Sequence, residues 1–186
     1  MKSVLTSTDL VREPPRRAQV YVDESKAKGF LLVAVFVASG AVSRLRSALR
    51  ALRRPGQRSI HFVSERDAIR DAVLRTLVEL DVCALIVSAP DRRTPQTPRE
   101  LCVRALARTC VEKEASFLVL ETDRTLVPDD KRWLFEELHK TDVRYDHRER
   151  HEEPLLWAAD AIAWAWNRDQ SWRAKVRPLV LDEIHA

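Results

Sequence analysis

The sequence predicts an α/β fold: a mixed sheet flanked by helices, with a helical insertion after the second strand. Three observations lead there. Two apolar stretches, at about 18–25 and 30–39, are separated by the short "SKAKG" and read as paired strands, with Gly29 able to supply the positive φ of the turn. Residues 42–81 then show helical rather than strand period. From Val82 onward, strand-length apolar runs alternate with helical segments, the order that lays helices on a sheet.

Residues 1–17, with Pro14-Pro15 and Arg16-Arg17, read as a flexible N-terminal tail, which leaves residues 18–186 as one domain. In "VSRLRSALRALRR" the residues Leu45, Leu49 and Leu52 line one helical face, with Arg46, Arg50 and Arg53 beside it, and Pro55-Gly56 ends the helix. Ser64, with Asp67 three residues later, announces a second helix that runs to about Asp81 through Ile69, Val73, Leu77 and Leu80. "VCALIVSA" is a continuous apolar run of strand length, which implies burial on both faces. The polar "PDRRTPQTP" leads into Thr97-Pro98-Arg99-Glu100, a capping box with proline at the first helical position, opening a helix to about Glu114. "SFLVLETD" reads as a strand, residues 129–141 as a helix and "VRYDH" as a short strand. "EEPLLWAADAIAWAWN" is a strongly apolar helix led in by Pro154. Trp157 and Trp164 share one of its faces and read as packing, whereas Trp172 in "DQSWR" reads as an exposed or interfacial ring.

At 186 residues the chain has room for one sizeable core, and with 45% hydrophobic and 32% charged residues it has ordinary globular composition. Its longest apolar run, Phe30 to Ala38, is too short to span a bilayer, and the N-terminus carries neither a signal pattern nor a lipidation motif, so a cytoplasmic, membrane-free protein is expected. Cys83, Cys102 and Cys110 sit in apolar periodic segments without metal-ligand spacing, and read as reduced, buried thiols. The glycines are only Gly29, Gly40 and Gly56, so no glycine-rich phosphate loop is present, nor does a serine or cysteine lie in a nucleophile motif. The formal net charge is +4, and its distribution is informative. No acidic residue lies between Glu24 and Glu65, where Lys26, Lys28, Arg44, Arg46, Arg50, Arg53, Arg54 and Arg58 all fall. Lys26, Arg46, Arg50, Arg53 and Arg54 are the candidates for contacting the phosphates of DNA or RNA.

The first strand ends in Asp23 and Glu24, two carboxylates that a core rejects unless they are exposed or given a cation. Strand alternation puts Tyr21 and Asp23 on one face and Val22 and Glu24 on the other, while Val119, Glu121 and Asp123 share a face of "SFLVLETD". If those strands are neighbours, Asp23 meets Glu121 or Asp123 at one end of the sheet. Asp160 is the only charge between Pro154 and Arg168 on the apolar helix, and Glu153 lies two turns earlier on the same side. Carboxylates forced together repel, a conflict that Mg2+ or Mn2+ removes because both take oxygen ligands. His61 is positioned to hold a water or contact a phosphate, or else to make a plain hydrogen bond where a basic loop enters a helix. "HRERH", with His147 and His151, reads as a solvated charge run.

The matching segments "YVDES", "SIHF", "LVLETD" and "HEEPLLWAADAIAWAW" resemble a family of ribonuclease H-like proteins, within the retroviral integrase superfamily, over roughly residues 18–168. Members open with a strand ending in "DES" or "DE-x-G", carry a short histidine motif after a helical insertion, and close with an "AD" helix. Many have a glutamate just before the histidine, where this chain has Ser59-Ile60-His61. The resemblance implies a two-metal, nuclease-like site with Asp23, Glu121 or Asp123, and Asp160 as ligands.

The leading expectation is therefore a Mg2+- or Mn2+-dependent nuclease, with Asp23, Glu121, Asp160 and His61 as catalytic residues. Two alternatives stand beside it. One is a nucleic-acid-binding protein that keeps the fold without the chemistry; the other is a protein-interaction module built on the arginine face and the Trp-rich helix.

Overall fold

The computed structural model describes residues 12–90 and 95–186. Its strands are β1 (Gln19–Ser25), β2 (Leu31–Val37), β3 (Cys83–Ser88), β4 (Phe117–Glu121), β5 (Arg144–Arg148) and β6 (Val180–His185). The helices are α1 (Val42–Ala51), α2 (Asp67–Glu79), α3 (Pro98–Glu112), α4 (Val127–Leu138), α5 (Leu155–Asn167) and α6 (Gln170–Val176). The strands make one mixed sheet in the order β5-β4-β1-β2-β3-β6. β1 pairs antiparallel with β2 and β2 with β3, while β1–β4, β4–β5 and β3–β6 are parallel.

The tight β1–β2 hairpin works because Gly29 adopts φ +89°, a conformation that side chains disfavour. Every residue of β2 is buried, as its unbroken apolar run implies for a strand covered on both faces. Tyr21, Val33, Val35, Ile86 and Val119 point to one face, where they pack against α1, α2 and α5. Val20, Val22, Ala34, Leu85 and Leu120 point to the other, against α3 and α4. α5 is buried along almost its whole length because it lies against β1 and β2 with α2 and α6 alongside.

The Thr97 box forms as expected at its first half: Thr97 Oγ1 accepts from Glu100 N at 3.1 Å, with Pro98 opening α3. Glu100 turns instead to Arg104. The Ser64 cap does not form. Ser64 ends a short 3-10 turn, Phe62–Ser64, and α2 begins at Asp67 without a side-chain cap. Beyond α5 the chain adds α6, capped by Asp169, and the edge strand β6, neither of which the sequence pattern predicts.

Of the tail expected over 1–17, residues 1–11 lie outside the described residues, as do residues 91–94 of the polar loop. Residues 12–17 are laid against the domain: Arg12 bonds Asp81, and Arg16 bonds Glu114 twice. Cys83, Cys102 and Cys110 are free and buried. Burial pushes the thiols of Cys102 and Cys110 up to about 12, which keeps them protonated. No helix among the described residues is long and apolar enough to cross a membrane.

Candidate functional site

Three elements deliver the site. Tyr21 and Asp23 face α5 from β1, and Glu121 ends β4 on the same side, since Tyr21 is in register with Val119. Asp160 sits in the middle turns of α5, which packs across β1. The three carboxylates close on one cation, the guanidinium of Arg150 in the loop between β5 and α5. Arg150 Nη1 donates to Asp160 Oδ2 at 2.5 Å, and Nη2 donates to Glu121 Oε2 at 2.6 Å and to Asp23 Oδ2 at 3.2 Å. Its Nε donates to Glu121 Oε1 at 3.0 Å, which completes a bidentate fork.

His61 stands at the rim, its side chain 52% exposed. Its Nδ1 lies 2.9 Å from Arg150 Nη1 and 3.3 Å from Asp160 Oδ2. The backbone N–H of Phe62 donates to the same Asp160 oxygen at 2.9 Å, so the loop after α1 is tied to α5 at this point. Trp157 Nε1 donates to the carbonyl of Arg150 at 2.7 Å and fixes the main chain that carries the guanidinium.

Burial and neighbouring charges act in different balance on the two aspartates. Burial drives Asp23 well above the usual carboxylate range; Arg150 opposes the shift, while Asp160, Glu121 and burial together outweigh it. Burial also pushes Asp160 upward, but His61, Arg150 and the Phe62 N–H hold it below its ordinary value. Three carboxylates against one guanidinium leave the cluster short of positive charge. No three His, Cys, Asp or Glu side chains among the described residues are disposed as a metal centre.

A cleft of about 420 Å³ opens beside the cluster at the carboxyl ends of β1 and β4, lined in part by Asp23, Glu24, Arg99, Glu121, Arg124 and Arg150. Asp123 also borders it but turns away from the cluster, accepting from Thr125 N and Oγ1 at 3.0 and 2.7 Å. The geometry thus separates Glu121 from Asp123, a pair the sequence left open.

On the opposite face of β1 lies a second charged network. Arg99 is bidentate on Asp130, at 2.8 and 2.7 Å, and also bonds Glu24. His147 Nε2 lies 3.2 Å from Asp130, and its ring is only 5% exposed, so "HRERH" is not simply a solvated run. Lys26 pairs with Glu24 at 2.7 Å. Glu153, 1% exposed, does not join Asp160: Arg46 grips it at 2.9 and 2.5 Å and Arg148 adds a bond at 3.0 Å. Arg46 is therefore spent inside the protein, because a buried carboxylate takes the nearest guanidinium. Arg54 lies 3.3 Å from the buried Glu65 and Arg53 donates to the carbonyl of Arg58, and Arg50, Arg53 and Arg54 are all exposed on α1 and the turn after it. Trp172 is half-buried, edge-on to Trp164 with ring centroids 5.2 Å apart, rather than a free ring.

Arg150 and Arg99 are the site residues that the sequence pattern missed. The signal for Arg150 was a general one, that a strand ending in carboxylates needs a cation, but nothing local says which of the many arginines supplies it.

No protein-family model matches the chain, and no curated protein matches it. Among solved structures, the chain is similar to one from the PCNA:RNase HII complex of Archaeoglobus fulgidus, at 15% identity and a TM-score of 0.59, over 86% of this chain and 77% of that one. That likeness shows the fold, a ribonuclease H-like mixed sheet flanked by helices. The chemistry has to be argued from the side chains.

Proposed function

We propose that the chain is a Mg2+- or Mn2+-dependent phosphodiesterase that cleaves nucleic acid, with Asp23, Glu121 and Asp160 as the metal ligands. The observation that supports it is the convergence of three carboxylates, from β1, β4 and α5, on a single cation. The donor set fits a hard divalent ion: all oxygens, partly buried, and carrying more negative charge than Arg150 balances. Such an ion supplies an activated water and stabilises the leaving oxygen in phosphoryl transfer.

The chain's own groups take the remaining roles. Asp23 is held by the Glu24 N–H at 2.8 Å and Asp160 by the Phe62 N–H, so both carboxylates are aimed before anything binds. Exposed His61 contacts the phosphate or its attacking water at the rim. Arg50 and Arg53 draw the polyanion to the surface of α1.

A second reading has its own observation: Arg150 already neutralises part of the cluster, and a site held permanently by arginine binds nucleic acid without cutting it. Incubating the protein with single- and double-stranded DNA and RNA in Mg2+ or Mn2+ separates the two. Cleavage is expected, and Asp23→Asn or Asp160→Asn should reduce it by more than about 100-fold, the upper end of what outer-shell losses cost at metal centres. Salt-sensitive binding with no cleavage in either metal would favour the inert reading.

A further inference from the structure

Resting on the metal-dependent reading, we propose that Arg150 is a built-in placeholder: its guanidinium holds the seat of the divalent ion and swings out, on a fixed main chain, when the ion binds.

Its position comes first. Arg150 is the group on which Asp23, Glu121 and Asp160 all converge, with contacts of 3.2, 2.6 and 2.5 Å, so ion and guanidinium compete for the same oxygens. Charge is the second ground. In the neighbouring networks cations match or exceed carboxylates: Arg46 and Arg148 share Glu153, while Arg99 and Lys26 serve Asp130 and Glu24. Around Arg150 one guanidinium faces three carboxylates, and a divalent ion brings twice its charge to the same point. These oxygens are held around a cation of insufficient charge.

The third ground is a path out. The Arg150 side chain is 19% exposed and lines the 420 Å³ cleft, whereas its carbonyl is pinned by Trp157. Release therefore needs only side-chain rotation into the cleft, with no rearrangement of β5 or α5. In the metal-free protein the same contacts prevent repulsion among the carboxylates, which explains why a cation is kept there at all.

The experiment is Mn2+ titration by calorimetry, with thermal melting in parallel, on the wild type, Arg150→Gln and Arg150→Lys. A placeholder predicts a lower metal-free Tm in Arg150→Gln, at least tenfold tighter Mn2+ binding than the wild type, and recovery of Tm at saturating metal. Arg150→Lys keeps the charge but loses the fork, so it should bind Mn2+ with intermediate affinity, and it keeps the comparison open if Arg150→Gln does not fold. Unchanged or weaker binding in the folded variants overturns the placeholder and leaves the metal site standing. Absence of Mn2+ binding in all three proteins overturns both.

Discussion

Asp130 shows how much one side chain can carry in this protein. It is 1% exposed and accepts from both ends of the Arg99 fork, one on each oxygen, with His147 against Oδ2. Burial alone would raise it, yet Arg99 and His147 hold it below its ordinary 3.8. A carboxylate whose folded value is depressed contributes stability above its unfolded value and loses that contribution as pH falls through the folded one. Acid should therefore begin to weaken the fold below about pH 4 through this group. Replacing Asp130 with Asn is expected to lower stability at neutral pH by about 3 kcal/mol, since it leaves the Arg99 charge under-compensated, and to flatten the acid limb. Urea unfolding of both proteins across pH 2.5 to 7, a range spanning roughly the carboxylate titration, measures both effects.

Among the elements, α3 shows the closest agreement between sequence signal and structure. Its Thr97 cap positions the helix so that Arg99, in the first turn, reaches under the sheet to Asp130 and Glu24. Thr97→Ala should cost about 1 kcal/mol in chemical denaturation and leave the proposed Mn2+ binding untouched, because the carboxylate cluster lies on the other face of β1. The strands β1 to β4 were legible for a similar reason: apolar runs of strand length, as in β2 and β3, are a local consequence of a sheet covered on both faces. β6 was not, since only Val180 of its six residues is buried and an edge strand needs little more than one neighbour's hydrogen bonds. The start of α2 was misplaced because Ser64 serves a 3-10 turn instead of a helix cap. In the candidate site the approach of Asp23 to the acidic end of β4 followed from strand parity, and Asp160 stood out as one odd charge on an apolar helix; Glu121 as against Asp123, and the contact of His61 with Asp160, are visible only in the tertiary structure. The arginine among them could not be read, because a long side chain finds its partner through tertiary geometry that no periodicity records.

The whole molecule separates its arginines into two populations. Some are consumed by buried carboxylates, as Arg46, Arg99 and Arg150 are. Others, such as Arg50 and Arg53, project from the acid-free segment into solvent. The net charge of +4 therefore understates the field on one side and overstates it elsewhere. On the proposed function, only the exposed set would contribute counterion release. On the proposed nucleic-acid binding, the double variant Arg50→Glu, Arg53→Glu is expected to weaken binding uniformly across sequences and to reduce the slope of log K against log salt by about 2. Fluorescence anisotropy over a salt series reads that slope, and an unchanged slope would move the binding surface away from α1.

The two carboxylates that close β1 have a consequence for register. Asp23 belongs to the Arg150 network and Glu24 to the Arg99 network, on opposite faces of the same strand. Sliding β1 by one residue along β2 and β4 would turn each acid to the opposite face, away from its own arginine, while turning Val20 and Val22 out of their own core. The strand end thus acts as a parity check, in which two packed faces and two ionic partners must all agree before the sheet can close.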